Sequence, residues 1–177
     1  FCTERKCKLI YSGSSTKFSD NGKTIYSNPY SFTKYINSEI VNEFCKSAKL
    51  DYAIVYFNNV YGDGEAGTSS YATVIEKFLH HSACNEPLSV TSPGTQTRAF
   101  THIEDTINAI LLVAETANGD GYVISGDEEY AIIDIATFIS GNIVFTEGNS
   151  ANRAVSGIRN QKIKLLGWRP KHNLYSY

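Results

Sequence analysis

Tyr30 and Lys34 have the residue types and the spacing that proton transfer requires. Upstream of them, Asn28 and Pro29 predict a helix start, with Asn28 as the cap and Pro29 in the first turn. Side chains four positions apart lie one above the other on a helix face, and an ammonium beside a phenol favours the phenolate. Such a pair could take a proton from a carbinol. The same spacing is also common on helices that do no chemistry, so the pair needs a second signal.

The second signal is a run of small hydroxyl residues after a predicted strand. Residues 8–12 read as a short strand, and its end carries Ser12, Ser14 and Thr16. Open parallel sheets place ligands at the carboxyl ends of their strands. We therefore expect these hydroxyls to lie at a ligand site.

The elements that position these residues alternate along the whole chain. The nearly all-apolar run Tyr52–Phe57 predicts a strand buried on both faces. A helix is predicted over residues 30–49, and a second one opens on a capping-box pattern at residues 101–104. Strands alternating with helices predict an α/β fold with a largely parallel sheet. The apolar faces of the two helices are predicted at Val41, Phe44 and Ala48, and at Ile103, Ile107, Ile110, Leu111 and Ala114.

The composition of the 177 residues excludes several classes of protein. Sixteen Lys and Arg against eighteen Asp and Glu give a net charge of −2, which argues against nucleic acid or an anionic membrane as the main partner. No run of 18 apolar residues occurs, so no transmembrane helix is predicted. The four cysteines show no zinc-binding spacing, so we expect free thiols in a reducing cytoplasm and no metal.

Five segments together resemble the extended short-chain dehydrogenase/reductase family, specifically its NAD-dependent nucleotide-sugar epimerases and dehydratases of the UDP-glucose 4-epimerase type. They occur in the family's order and span nearly the whole chain. The segments are residues 9–18, 29–34, 56–62, 94–105 and 165–170.

The resemblance implies the C-terminal part of a doubly wound, Rossmann-type parallel sheet with a small mixed α/β substrate-binding lobe. Residues 1–62 would be the C-terminal half of the NAD-binding domain. Residues 63–177 would mainly form the nucleotide-sugar lobe, with some segments returning to the sheet. A cytoplasmic enzyme of carbohydrate metabolism is implied.

The resemblance also assigns roles to residues at the strand ends. Tyr30 would be the catalytic acid/base, and Lys34 would bind the nicotinamide ribose and favour the ionised form of Tyr30. Ser14, four residues before Phe18 as in the family, would hydrogen-bond the substrate hydroxyl. The NAD-binding set would be Ser12, Tyr30, Lys34 and Asn58.

The implied substrate is a nucleotide sugar, most simply a UDP-sugar. Asn59 would contact its diphosphate or sugar, and Arg98 would pair with a phosphate, a bidentate task suited to the guanidinium. Arg153 is a further candidate for such a contact. The resemblance also allows a homodimer, built from the helix of Tyr30 and Lys34 together with a helix at residues 69–81.

The residues after Ser14 separate the branches of the family. Dehydratases have carboxylates there to eliminate water, whereas this chain has Ser15 and Thr16, as in the 4-epimerases. The sequence therefore favours 4-epimerisation through a keto sugar. The alternatives are a dehydratase or reductase of the family, or a non-catalytic nucleotide-sugar-binding or assembly module.

Two features depart from the family. The Gly-rich dinucleotide turn expected upstream of Ser12 is absent, and the G-x-G-x-x-G match at residues 62–67 lacks the acidic residue expected about 20 positions later. We therefore expect the C-terminal portion of a longer enzyme, inactive alone. The second departure is Tyr56, where the family usually has an Arg able to form an ion pair.

Overall fold

The computed structural model describes residues 1–26, 29–64, 67–69, 72–147 and 157–177, and the backbone alone for residues 19–24. The helices are α1 (Cys2–Arg5), α2 (Pro29–Ser47), α3 (Val74–Ala83), α4 (Ile103–Thr116), α5 (Ile132–Ile139) and α6 (Gln161–Leu165), with 3₁₀ segments at Ser15–Tyr26 and Leu174–Ser176. The strands are β1 (Leu9–Ser14), β2 (Tyr52–Phe57), β3 (Asn59–Tyr61), β4 (Leu88–Thr91), β5 (Thr97–His102), β6 (Gly119–Ile124), β7 (Glu129–Ala131) and β8 (Ile143–Thr146).

A parallel sheet in the order β1-β2-β6 packs against α2, the helix that carries Tyr30 and Lys34. The register pairs Ser14 with Phe57, and Phe57 with Ile124, so the three carboxyl ends lie side by side. Alternate residues of β2 face opposite sides. Ala53 and Val55 pack toward α4, whereas the side chains between and beside them pack toward α2. The prediction of an α/β fold with a parallel sheet is confirmed.

Two smaller sheets extend this framework. Strand β5 pairs in parallel with β3 and antiparallel with β7, and β4 pairs in parallel with β8. A separate apolar core lies between these strands and helices α3 and α5, with Phe78, Leu88 and Ile135 at its centre. Among the described residues, no helix has the length and apolar character needed to cross a membrane.

The apolar faces predicted for α2 and α4 are wrong in part. Phe44 is 60% exposed, and Ile107 and Leu111 are also exposed. With the exception of Val113, the buried positions are small or polar: Ser31, Ser38, Asn42 and Cys45 on α2, and Asp105, Thr106, Ala109 and Val113 on α4. Small side chains allow a helix to approach the sheet closely, and the polar ones are satisfied there. The Tyr52 hydroxyl, for example, donates to Asn42 Oδ1 at 2.6 Å.

Two predicted helix starts also differ from the structure. Strand β5 runs on to His102, which caps α4 through its ring, so the predicted capping box does not form. The Thr101 hydroxyl accepts a hydrogen bond from the Gly126 N–H and is unavailable as a cap. The helix predicted from residue 69 begins at Val74, because the Thr73 hydroxyl accepts from the Glu76 N–H.

Candidate active site

Lys34 connects helix α2 to the carboxyl end of β1. Its ammonium donates to the Ser12 carbonyl oxygen at 3.1 Å and lies 5.9 Å from the centre of the Tyr11 ring. Helix α2 starts at Pro29, and the Thr33 hydroxyl closes its first turn by donating to the carbonyls of Pro29 and Tyr30. The strand end and the helix start are therefore held together. The predicted cap, Asn28, lies outside the described residues.

Tyr30 lies one helical turn before Lys34 and is 60% exposed. An exposed phenol at a helix start is accessible to a substrate.

Ser14 closes β1 with its side chain already oriented by a neighbour. The Thr16 hydroxyl donates to Ser14 Oγ at 3.0 Å, and the Thr16 N–H points to the same oxygen at 3.4 Å. Thr16, two positions after Ser14, thus places a hydroxyl group beside the Ser14 side chain. The structure thus brings the helix of Tyr30 and Lys34 to Ser12, two residues before Ser14 at the end of β1.

Gly13 must be a glycine because β2 approaches it closely. A Cβ built there would lie 2.5 Å from the Tyr56 ring and 3.3 Å from Ser38 Oγ. The absence of a side chain at Gly13 lets Tyr56 fit beneath the strand end, where Phe18 packs edge-on against it at 4.8 Å.

A polar cluster beneath this strand end was not predicted. The Lys17 ammonium, only 15% exposed, donates to Glu39 on α2 at 2.8 Å, to the Tyr56 hydroxyl at 2.9 Å and to Asp120 on β6 at 2.9 Å. The Tyr56 hydroxyl donates in turn to Asp120 at 2.6 Å. Lys17 therefore supplies the cation of an ion pair that the Tyr56 side chain cannot make.

The pKa values of this cluster follow from burial and from the ion pairs. Burial raises the pKa of Tyr56, and its hydrogen bond to Asp120 adds to this. Burial opposes the charged forms of Lys17 and Asp120, but their contacts outweigh it, raising the pKa of Lys17 and lowering that of Asp120. The cluster is therefore one ammonium held between two carboxylates, beside a neutral phenol.

The side-chain amide of Asn58, directly after β2, has a hydrogen-bond partner for its nitrogen but not for its oxygen among the described residues. Its Nδ2 donates to Ser125 Oγ at 2.7 Å, and its backbone N–H donates to the Ile124 carbonyl. Its Oδ1 is buried with no hydrogen-bond partner among the described residues. A buried acceptor of this kind is costly unless a donor from a ligand or water reaches it.

Asn59 and Arg98 line one cavity of about 400 Å³. The Asn59 side chain donates to the Ala99 carbonyl at 3.0 Å, and an Arg98 guanidinium N–H donates to the Thr97 carbonyl at 2.7 Å. The other lining residues are Thr73, Val74, Ser89, Thr91, Gln96, Phe100 and Ile132. Polar groups converging in a cavity of this size are typical of small-molecule sites.

Sequence reasoning did not identify Gln96 and Thr91 as residues of this cavity. The Gln96 side chain donates to the Thr91 carbonyl, so the two belong to one wall. The sequence signal that could have identified Thr91 was the alternation of Ser89 and Thr91 along the short strand β4. Arg153, the remaining predicted substrate contact, lies outside the described residues.

Known proteins resemble this chain in sequence and in fold. The dTDP-D-glucose 4,6-dehydratase of Homo sapiens is 27% identical across 92% of this chain and 49% of its own length. The solved Thermotoga maritima UDP-glucose 4-epimerase with UDP-glucose has a TM-score of 0.88 at 20% identity, covering 98% of this chain and 62% of that one. The Thermus thermophilus UDP-glucose 4-epimerase with NAD has a TM-score of 0.85 at 15% identity, with the same two coverages.

These likenesses confirm the predicted Rossmann-type fold. The chain spans about half or less of the length of the curated relatives it matches. A model of the NAD dependent epimerase/dehydratase family matches residues 1–125, the larger part of the sequence. The chain belongs to the NAD dependent epimerase/dehydratase family.

Proposed function

We propose that this chain provides the proton-transfer and substrate-binding parts of an NAD-dependent nucleotide-sugar 4-epimerase. The observation that carries the proposal is the 3.1 Å bond from Lys34 Nζ to the Ser12 carbonyl. It fixes the helix of Tyr30 and Lys34 against the strand that ends in Ser14. A general base, a cation and a substrate-orienting hydroxyl then belong to one sheet edge.

In the proposed reaction Tyr30 acts on a hydroxyl of the sugar. Its phenolate takes the proton as the carbon is oxidised to a ketone, and it returns the proton when the ketone is reduced from the opposite face. Lys34 stabilises the phenolate by its charge. Ser14 orients the same hydroxyl, with the Thr16 hydroxyl holding its oxygen.

One structural observation supports a fit to NAD: the buried Oδ1 of Asn58 has no hydrogen-bond partner among the described residues. This oxygen can accept a hydrogen bond from the carboxamide of the nicotinamide. Ser12, Tyr30, Lys34 and Asn58 would hold the nicotinamide end. The chemistry that bound NAD would supply is reversible hydride transfer with the sugar carbon.

The cavity of Asn59 and Arg98 is the proposed site of the nucleotide-sugar diphosphate, most simply that of a UDP-sugar. A guanidinium suits a phosphate because it offers parallel N–H donors in a rigid fork. Ser89, Thr91 and Gln96 add neutral hydrogen-bonding groups to the same walls.

The choice of epimerase over dehydratase rests on Thr16. Its hydroxyl, where a dehydratase has a carboxylate, hydrogen-bonds Ser14. A hydroxyl with an ordinary pKa is a poor general acid for expelling water from a sugar. The second candidate function is a non-catalytic nucleotide-sugar-binding module, in which the cavity of Asn59 and Arg98 would bind the ligand without turnover.

A homodimer is part of the proposal. Helix α2 presents Phe32, Ile40 and Phe44 outward at multiples of four residues, all exposed. Apolar side chains in such a row form one stripe along a helix, which favours pairing with the same face of a second copy.

The test joins this chain to the Gly-rich half of the Thermotoga maritima epimerase and follows the fate of UDP-glucose by nuclear magnetic resonance. We expect UDP-galactose. A 4-keto-6-deoxy sugar would instead show a dehydratase. Nucleotide-sugar binding without turnover, in a chimera that retains NAD, would support the non-catalytic module.

A further inference from the structure

A second cluster of reactive side chains lies where the C-terminal segment crosses the start of α4. His102, Glu104 and His172 each bring one potential metal-ligating atom within 4.8 Å of the others. His102 is the N-cap of α4, and Glu104 is in its first turn. None of the three belongs to the proposed epimerase site, so the inference goes beyond that function.

The backbone around His172 is fixed by the buried carboxylate of Asp105. Asp105 is 1% exposed, and its Oδ2 accepts from the N–H groups of Lys171 at 2.9 Å and His172 at 3.0 Å. The Trp168 indole N–H donates to the Asp105 carbonyl at 3.1 Å. Two kinds of contact, the backbone N–H bonds to the Asp105 carboxylate and the Trp168 indole bond, therefore hold the C-terminal segment against α4.

The ring of His172 has an orientation that suits metal binding. Its Nδ1 lies 3.2 Å from Asp105 Oδ2, and its Nε2 lies 3.3 Å from Glu104 Oε2. A neutral ring that donates from Nδ1 directs the Nε2 lone pair at the Glu104 carboxylate, and two electron-rich atoms so close need a cation or a proton between them. A carboxylate behind a ligating histidine is a common feature of metal sites. Two ligands on tetrahedral zinc, with bonds of roughly 2.0–2.1 Å, lie about 3.3 Å apart.

His102 is less well oriented for metal binding than Glu104 and His172. Its ring stacks on His172 at 4.2 Å and contacts the rings of Tyr61 and Tyr177. Its Nδ1 accepts from the Glu104 N–H at 3.3 Å, a long hydrogen bond. Coordination by His102 requires the ring to rotate out of the stack and give up this bond. Glu104 and His172 are therefore the stronger pair.

We propose that His102, Glu104 and His172 form a binding site for a divalent transition metal ion, with Zn²⁺ as the best match to two imidazoles and a carboxylate. The fourth position of a tetrahedral ion would be taken by water. The ion would join the C-terminal segment to the junction of β5 and α4. Sequence spacing could not predict the site, because its two histidines lie in separate segments.

The test titrates the 177-residue chain with ZnCl₂ by calorimetry, using Cys2→Ser, Cys7→Ser and Cys84→Ser together to remove thiols that bind zinc. We expect one saturable site and a rise in Tm with zinc, since a ligand of the folded state stabilises it. His172→Gln should weaken binding at least tenfold and His102→Gln less. Mg²⁺ should not compete.

His81→Gln is the matched control, because His81 also pairs with a carboxylate, Glu86, at 2.9 Å on the surface. It should leave zinc affinity unchanged. Glu104→Gln gives a second variant at a side chain that is 67% exposed, and it too should weaken binding. Absence of saturable zinc binding, or equal affinity in the His172 and His81 variants, would overturn the proposal.

Discussion

The Lys17 ammonium lies 2.9 Å from the Tyr56 hydroxyl, beneath the strand that ends in Ser14. Through Glu39 and Asp120 the same ammonium also contacts α2 and β6. One cation thus links the segment after Ser14 to the helix that carries Tyr30. The cluster stabilises the relative positions of the elements from which the proposed site is built.

Lys17→Met should lower the free energy of unfolding by roughly 2–3 kcal/mol, because it leaves Asp120 (26% exposed) and Glu39 (40% exposed) without the cation that neutralises them. Urea denaturation of the 177-residue chain measures this. Lys46→Met is the control, since the exposed pair of Lys46 with Glu43 at 2.9 Å should be worth about 0.5 kcal/mol or less. Equal losses in the two variants would show that the Lys17 cluster contributes no more than a surface ion pair.

Asp120 should make stability depend on pH in the acid range. Its contacts with Tyr56 and Lys17 outweigh burial and lower its pKa in the folded state. Its contribution to stability is therefore present above the unfolded pKa of about 3.9 and is lost as pH falls through the lower folded pKa. Unfolding free energies of the natural chain and of Asp120→Asn should converge as the pH falls below about 4.

The control for this pH dependence is Asp51→Asn. Asp51 lies 3.9 Å from Lys8 and is 58% exposed, so its removal should change the acid slope little. A difference between the natural chain and Asp120→Asn that stays constant down to the lowest measurable pH would contradict the assignment.

The exposed stripe of α2 should control association. Phe44→Glu places a charge within the proposed interface and should convert dimer to monomer in analytical ultracentrifugation. Ile107→Glu, at a position on α4 that is 48% exposed, should leave the dimer intact. Dissociation by the Ile107 change alone would move the interface to α4.

The periodicity of apolar residues and the capping residues in the sequence predicted the sheet. They did not predict which faces of its helices are buried. The run Tyr52–Phe57 is apolar throughout, as a strand covered on both sides requires. On α2 the buried residues are Ser31, Ser38, Asn42 and Cys45, whereas Val41 is only partly buried against the sheet. An amphipathic pattern assumes that large apolar residues face the core, and it fails where close approach selects small ones.

The residues of the candidate site likewise divide into those that the sequence predicted and those that it did not. The Tyr30–Lys34 spacing and the serines of β1 were recognisable because each is local in sequence. Lys17 and Asp120 meet only through the pairing of β1, β2 and β6, and no local pattern marks such a contact. The one sequence signal for the Lys17 cluster was Tyr56, which stands where the family usually has an Arg. Loss of that positive charge predicts that another cation takes its place.

Arg98→Ala should weaken UDP-glucose binding by roughly 10–100-fold, the equivalent of one charge-assisted hydrogen-bonding contact. Calorimetry on the chimera measures the dissociation constant. Arg5→Ala removes an exposed guanidinium on α1, away from the cavity residues, and should have no effect. Unchanged affinity in the Arg98 variant would remove that side chain from the proposed diphosphate site.

Tyr30→Phe in the chimera should reduce kcat by roughly 10²–10⁴-fold, because phenylalanine keeps the ring but cannot carry the proton. UDP-glucose affinity should stay nearly the same, since the proposed diphosphate contacts are made by Asn59 and Arg98. Tyr35→Phe, a hydroxyl deletion on the same helix, should leave kcat near its starting value. If the two variants lost activity equally, the loss would reflect damage to α2, and Tyr30 would not be the acid/base. A selective loss in kcat at Tyr30 would separate proton transfer from binding, which a module that only binds nucleotide sugars cannot show.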